Sequence, residues 1–232
     1  MPSLDFSPLL RGEYLAWLRS GFELSLLLTG LTLLSALPLG LLVALLRQAP
    51  WAALRALGQA YVEIVRCVPL LVHLLFWYFG MPELLPDGPK AWLYEHQVET
   101  LSAWMGLTVY TAAYMAEDLR SGLRAVPPTQ FEAARALGLP YFTALRLVVL
   151  PQALRITVGP LLSQTLNLWK NTSIATVIGT AELMYQAQRV ETATFRGFET
   201  FALVTAAYLS VSLALTALAH EVQRRWPARS LR

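Results

Sequence analysis

The sequence predicts an all-α integral membrane protein with about five transmembrane helices, the N-terminus outside and the C-terminus cytoplasmic. Three observations support that class. Hydrophobic side chains make up 56% of the 232 residues and charged ones only 14%, and the mean hydropathy of +0.48 is well above that of ordinary globular chains. The apolar residues fall into separate runs, most near the length of a bilayer crossing. The arginines gather in alternate connections, as the positive-inside rule requires. The formal charge of +3 therefore reads as topogenic, since the basic residues do not cluster with aromatics as in a nucleic-acid-binding face. Cys67 is the only cysteine, which excludes an intrachain disulfide and a cysteine-rich metal site, and no metal site is expected.

The first span is predicted at residues 22–46, built on the uncharged run LSLLLTGLTLLSALPLGLLVALL. A helix rising about 1.5 Å per residue crosses a hydrocarbon core of about 30 Å within that length. Arg11, Arg19 and the small pair Ser35-Ala36 also fit a cleaved signal peptide, but the apolar regions of such peptides are only about 7–15 residues long. Further spans are predicted at 68–82, 100–118, 153–180 (which includes Lys170) and 200–220. Several are short or interrupted, as expected where neighbouring helices or a polar path shield part of a helix from lipid. Arg47, Arg55 and Arg66 lie between spans one and two. Arg120, Arg124, Arg135 and Arg146 lie between three and four with Arg155 at the very start of span four, and Arg224, Arg225, Arg229 and Arg232 follow span five. The connection 83–99 carries Lys90 against Glu83, Asp87, Glu95 and Glu99, so it is placed outside.

The cytoplasmic loop 129–151, with the string FEAARALGLPYFTALRLVVLP, reads as two short helices. Thr129 and Glu132 have the spacing of a capping box. Gly138 suits the left-handed position after a helix, Pro140 the first turn of the next, and Pro151 is expected to stop that second helix near Val149. Helices this short are not stable alone in water, so Phe131, Ala134, Leu137, Ala144, Leu145 and Val148 must pack on something. Periodicity does not decide between a hairpin resting on the bilayer surface and an element that docks on a partner.

In span four, Gln164, Asn167 and Asn171 are spaced three and four apart and share one helical face. Burying three amides is costly without hydrogen-bond partners, so they face the bundle interior or a water-filled path. Helix-to-helix hydrogen bonding and a substrate path both satisfy this pattern. Thr172 and Ser173 would add hydroxyls to such a path. A phosphate-binding loop ends in Gly-Lys-Ser/Thr, whereas Lys90 is followed by Ala91 and Lys170 by Asn171, so the chain is not expected to hydrolyse ATP by that device. An ion-coupled carrier would need acidic groups within the bilayer. Glu117 and Asp118 lie beside Arg120 at the end of span three and read better as an interfacial charge cluster than as a proton relay; His73, alone in span two, reads as hydrogen-bonded structure.

Four separated motifs are similar to one family. Glu132-Ala133-Ala134, then Gly138, then Val148-x-Leu150-Pro151 after nine residues resembles the EAA motif of binding-protein-dependent ABC importer permeases, EAA-x3-G-x9-I-x-LP, with Val148 in place of isoleucine. YVEIVRCVPLLV resembles the polar amino-acid branch through Tyr61, Glu63, Arg66, Pro69, Leu70 and Leu71, with Cys67 where glycine is common. AAYMAEDLRSGLRAVPPTQFEAA matches through Glu117 and Arg120, with Thr129 in a glycine place, and WKNTSIATVIGTAEL through Lys170, Asn171, Ser173, Ile178, Glu182 and Leu183. The resemblance implies a type I importer permease fold in a bacterial inner membrane. It also implies a loop, carried by Glu132, Ala133, Ala134, Gly138, Leu150 and Pro151, that docks on an ABC ATP-binding subunit. ATP and Mg would sit on that partner, with no cofactor in this chain. The other implied partners are an extracytoplasmic solute-binding protein, a second permease subunit, identical or related, and a polar amino-acid substrate. No carboxylate stands on the amide stripe, which favours a neutral polar or acidic amino acid such as glutamine or glutamate. The alternatives are an ion-coupled amino-acid carrier or exporter and, in a different class, a membrane anchor or sensor.

Overall fold

The structure, a computed structural model, describes residues 4–225. Arg229 and Arg232, which contribute to the predicted topology, lie outside the described residues. Helix α1 spans Gly12–Leu46 and so begins well before the predicted 22. Packing explains the extension: Tyr14, Trp17 and Leu18 join a core with Leu183, Ala187 and Val190. Those three come from α9 (Leu183–Thr194), a helix that hydropathy alone did not reveal.

The connection predicted after span one also contains a helix, α2 (Ala52–Cys67). Its buried Gly58, Val62 and Val65 follow a helical spacing of four and three, while most of its remaining surface is exposed. The predicted span 68–82 becomes α3 (Leu70–Leu75), a π-helical turn (Phe76–Gly80) and a 3-10 turn (Met81–Leu84). The α2 axis and the Leu70–Leu84 axis meet at 106°, and only as a bent pair are they apolar enough to count as one crossing. Proline is the physical cause of the break, because Pro69 cannot continue the ladder and disfavours helical geometry at Val68. The short helix α4 (Asp87–Glu95) then leads to α5 (Val98–Ala125).

Helix α5 covers the predicted span 100–118 but, unlike Gly12–Leu46, Tyr141–Ile178 and Gly197–Arg225, is not apolar enough by itself to mark a membrane crossing. Its polarity is tolerated because protein encloses it: Ser102, Ala103, Gly106, Leu107, Thr111, Ala112, Ala113, Met115 and Ala116 are all buried. Small residues let α1 approach closely. A Cβ on Gly40 would stand 3.0 Å from the Ala112 carbonyl oxygen and 3.1 Å from Met115 Cβ. A shared core of Leu28, Leu70, Leu74, Ala103, Leu107, Leu168 and Ile178 joins these helices to α8 (Leu150–Asn171). Helix α10 (Gly197–Arg225) completes the bundle and is largely exposed along its length.

Candidate functional site

Helices α5 and α8 run antiparallel, since Gly122 lies against Thr157, Asp118 against Gln164 and Leu107 near Leu168. That register sets the amide stripe opposite a phenol-rich face. Gln164, Asn167 and Asn171 share the wall of a cavity of ≈ 320 Å³ with Tyr110, Thr111, Tyr114 and Leu168. The tyrosines were missed in the sequence because aromatic residues in an apolar run read as core. Their 110, 114 spacing is the signal that could have found them. Tyr110 Oη donates to Tyr114 Oη at 3.2 Å, and the Arg66 guanidinium lies over the Tyr114 ring, 5.2 Å from its centroid. Gln164 Nε2 donates to Asp118 Oδ2 at 3.0 Å, so a carboxylate does touch the stripe, from the neighbouring helix. Among the described residues, no side-chain hydrogen bond engages the amides of Asn167 or Asn171.

Ser173 is not brought to this cavity. Beyond Asn171 the chain winds into a 3-10 turn, Thr172–Ile178, which rotates it away. Ser173 instead lines a second cavity with Lys170, Met184, Tyr208 and Ser212. The hydroxyls of Thr172 and Ser173 donate back to the Trp169 and Lys170 carbonyls, at 2.8 and 2.7 Å. Lys170 is exposed.

At the arginine-rich end, Glu117 gathers three elements. It accepts from Arg47 Nη1, beyond the end of α1, at 2.5 Å, and from Arg120 on its own helix; Arg66 of α2 stands 3.9 Å away. The charge-cluster reading of Glu117 fits this geometry, although the sequence had assigned Arg47 to topology alone. Tyr61 Oη donates to the Val109 carbonyl at 2.7 Å and fastens α2 to α5. Glu63 is exposed and accepts from Gln59 one turn away on its own helix, at 2.8 Å.

The loop 129–151 departs from its expected form twice. Helix α6 spans Pro128–Ala136 with Pro127 as its cap and no capping side-chain bond, so Thr129 and Glu132 do not form a capping box. Pro128, pre-set for helical φ, moves the cap two residues back, from Thr129 to Pro127, and leaves Thr129 inside the first turn. Pro151 does not stop the second helix. The chain runs from α7 (Tyr141–Ala144) through a π-helical turn (Leu145–Val149) into α8. The wider turn places Pro151 in the first turn of α8, where an N–H is not needed. Gly138 does take the left-handed conformation, φ +82°, with Leu139 N–H donating to the Ala134 carbonyl.

Part of this loop packs internally. Phe131, Leu145 and Leu150 rest on Leu123, Val126, Val149 and Ala153, and Ala134 is buried. Glu132, Ala133 and Pro151 are exposed. Leu137 (83%), Phe142 (80%) and Leu147 (63%) are far more exposed than apolar side chains of their size usually are. Tyr141 and Phe142 also line an apolar groove with Leu45, Pro50 and Trp51.

A family profile described as "Binding-protein-dependent transport system inner membrane component" matches residues 36–226. The probable glutamine ABC transporter permease protein GlnM of Bacillus subtilis is 37% identical over 207 residues, covering 88% of this chain and 91% of that one. The glutamate/aspartate import permease protein GltJ of Escherichia coli is 33% identical over 227 residues, 96% and 92% of the two chains. A solved structure described as an amino acid ABC transporter with histidines matches with a TM-score of 0.84 at 30% identity, covering 96% of this chain and 99% of that one. The MetNI methionine ABC transporter, at 21% identity and a TM-score of 0.77 over 93% and 99% of the two chains, shares the fold.

Proposed function

Because the chain belongs to the family of binding-protein-dependent transport system inner membrane components, we propose that it is the permease subunit of an ATP-driven importer for a polar amino acid. The observation that carries the substrate class is the cavity between α5 and α8. Three amides, two phenols and a threonine converge there, and no ionised side chain lies among its lining residues. Amides and hydroxyls suit the ammonium, carboxylate and polar side chain of a neutral polar or acidic amino acid. Asp118 lies outside the lining, and its Oδ2 accepts from Gln164 Nε2. Glutamine and glutamate/aspartate, the substrates after which the similar permeases are named, agree with this class.

The bilayer is crossed five times in this reading, by α1, the bent α2–α3 pair, α5, α8 and α10, with the arginine-rich end cytoplasmic. The exposed apolar residues around Gly138 then form the face that receives an ABC ATP-binding subunit, where ATP and Mg are held. The opposite end meets an extracytoplasmic solute-binding protein. A second permease subunit, identical or related, closes the open side of the cavity.

Uptake and substrate-stimulated ATPase activity of the assembled complex test the path assignment. Gln164→Ala and Asn171→Ala are expected to weaken apparent affinity about three- to tenfold each, the scale of one lost hydrogen bond. Unchanged affinity and rate in both would remove the cavity from the path.

A further inference from the structure

In a continuous α-helix the Val65 carbonyl would accept from the N–H of residue 69. Residue 69 is proline and has none, so α2 leaves that acceptor without its main-chain donor at the 106° break. His73 fills the position: its Nε2 lies 3.2 Å from the Val65 carbonyl oxygen. A carbonyl only accepts, so the imidazole carries its proton on Nε2. Pro69 also helps to place the replacement donor, because its own carbonyl accepts the His73 N–H at 3.1 Å in the first turn of α3.

The other side of the ring faces the cavity wall. His73 meets Tyr110 edge to face, with centroids 5.7 Å apart and planes at 70°. Tyr110 lines the cavity and donates to Tyr114, whose ring lies beneath Arg66 near the end of α2. The chain His73, Tyr110, Tyr114, Arg66 therefore starts at the break, runs along the cavity and returns to the helix that the break ends.

We propose that His73 is a positioning residue: its Nε2–H···O=C bond to Val65 sets the angle of the α2–α3 break, and its ring holds Tyr110 against the cavity. The proposal rests on the reading of that cavity as the substrate path. Any change in the break angle would be felt at the phenols first, so His73 tunes substrate affinity without touching substrate.

The test uses the assembled permease–ATPase complex in proteoliposomes, with L-glutamine and L-glutamate as probes. Variants are His73→Leu, His73→Gln, His73→Leu combined with Pro69→Ala, and Gln164→Ala as a reference. His73→Leu is expected to raise the apparent KM about three- to tenfold with maximal rate within about twofold. His73→Gln, which keeps an N–H of similar reach, should stay within about twofold of the parent. Pro69→Ala restores a main-chain N–H at residue 69, so adding His73→Leu to it should cost less than the same change alone. Equal behaviour of the Leu and Gln variants, or strict additivity with Pro69→Ala, overturns the proposal. If Gln164→Ala shifts KM while His73→Leu does not, only the positioning role fails; if Gln164→Ala is silent, the path reading fails. Should the Leu variant not assemble, His73→Asn, with too short a reach, takes its place against His73→Gln on the same criteria.

Discussion

Glu182 is fully buried, and its carboxylate accepts four hydrogen bonds: from Met184 N–H at 2.9 Å, Tyr185 N–H at 3.0 Å, Tyr208 Oη at 3.1 Å and Ser25 Oγ at 3.2 Å. It thus caps α9 and ties it to α1 and α10. Glu182→Gln replaces an acceptor oxygen with a donor facing donors, and should destabilise the protein by about 1–3 kcal/mol. A lowered melting temperature in detergent, with normal membrane insertion, is the expected result. Little of this was legible in advance, because Ser25 sits in a leucine run where hydropathy averages it away. The amide stripe was legible, since Gln164, Asn167 and Asn171 keep a strict helical spacing and do share a cavity wall. Ser173 was not, because a change from α to 3-10 winding leaves no mark in the residue types.

Among the elements, the spans that can be read by hydropathy are those facing outward, notably α1 and α10, whereas α2 and α9 escape because each buries only one face. The loop 129–151 shows the same division. Its glycine turn follows from the residue alone, but the continuation through Pro151 depends on a π-helical turn that no hydrophobic period reports. A Cβ on Gly138 would meet nothing within 4 Å, so Gly138→Val tests the backbone conformation without a steric clash. The strain of about 1–2 kcal/mol should redirect α7 and reduce copurification with the ATPase while leaving insertion normal. Leu137→Asp tests the docking face itself. With 83% of Leu137 exposed, the melting temperature of the isolated subunit should not change, while ATPase copurification should be lost.

For the whole molecule, the bundle is organised around α5, a long helix that hydropathy alone does not mark as a crossing. α5 packs against α1, α2 and α8, and Glu117 joins the ends of the first two to it through arginines. The five-crossing topology predicts opposite accessibility for two exposed positions in a Cys67→Ser background. Thr192→Cys should react with a membrane-impermeant maleimide in intact cells, and Ala136→Cys only after the membrane is opened. Labelling of both in intact cells would refute the orientation. Radiolabelled glutamine and glutamate uptake by the reconstituted complex tests whether a polar amino acid crosses between α5 and α8. If it does, Gln164→Ala and Asn171→Ala each raise the apparent KM about three- to tenfold in a complex that still assembles with its ATPase; wild-type uptake in both variants would place the path elsewhere.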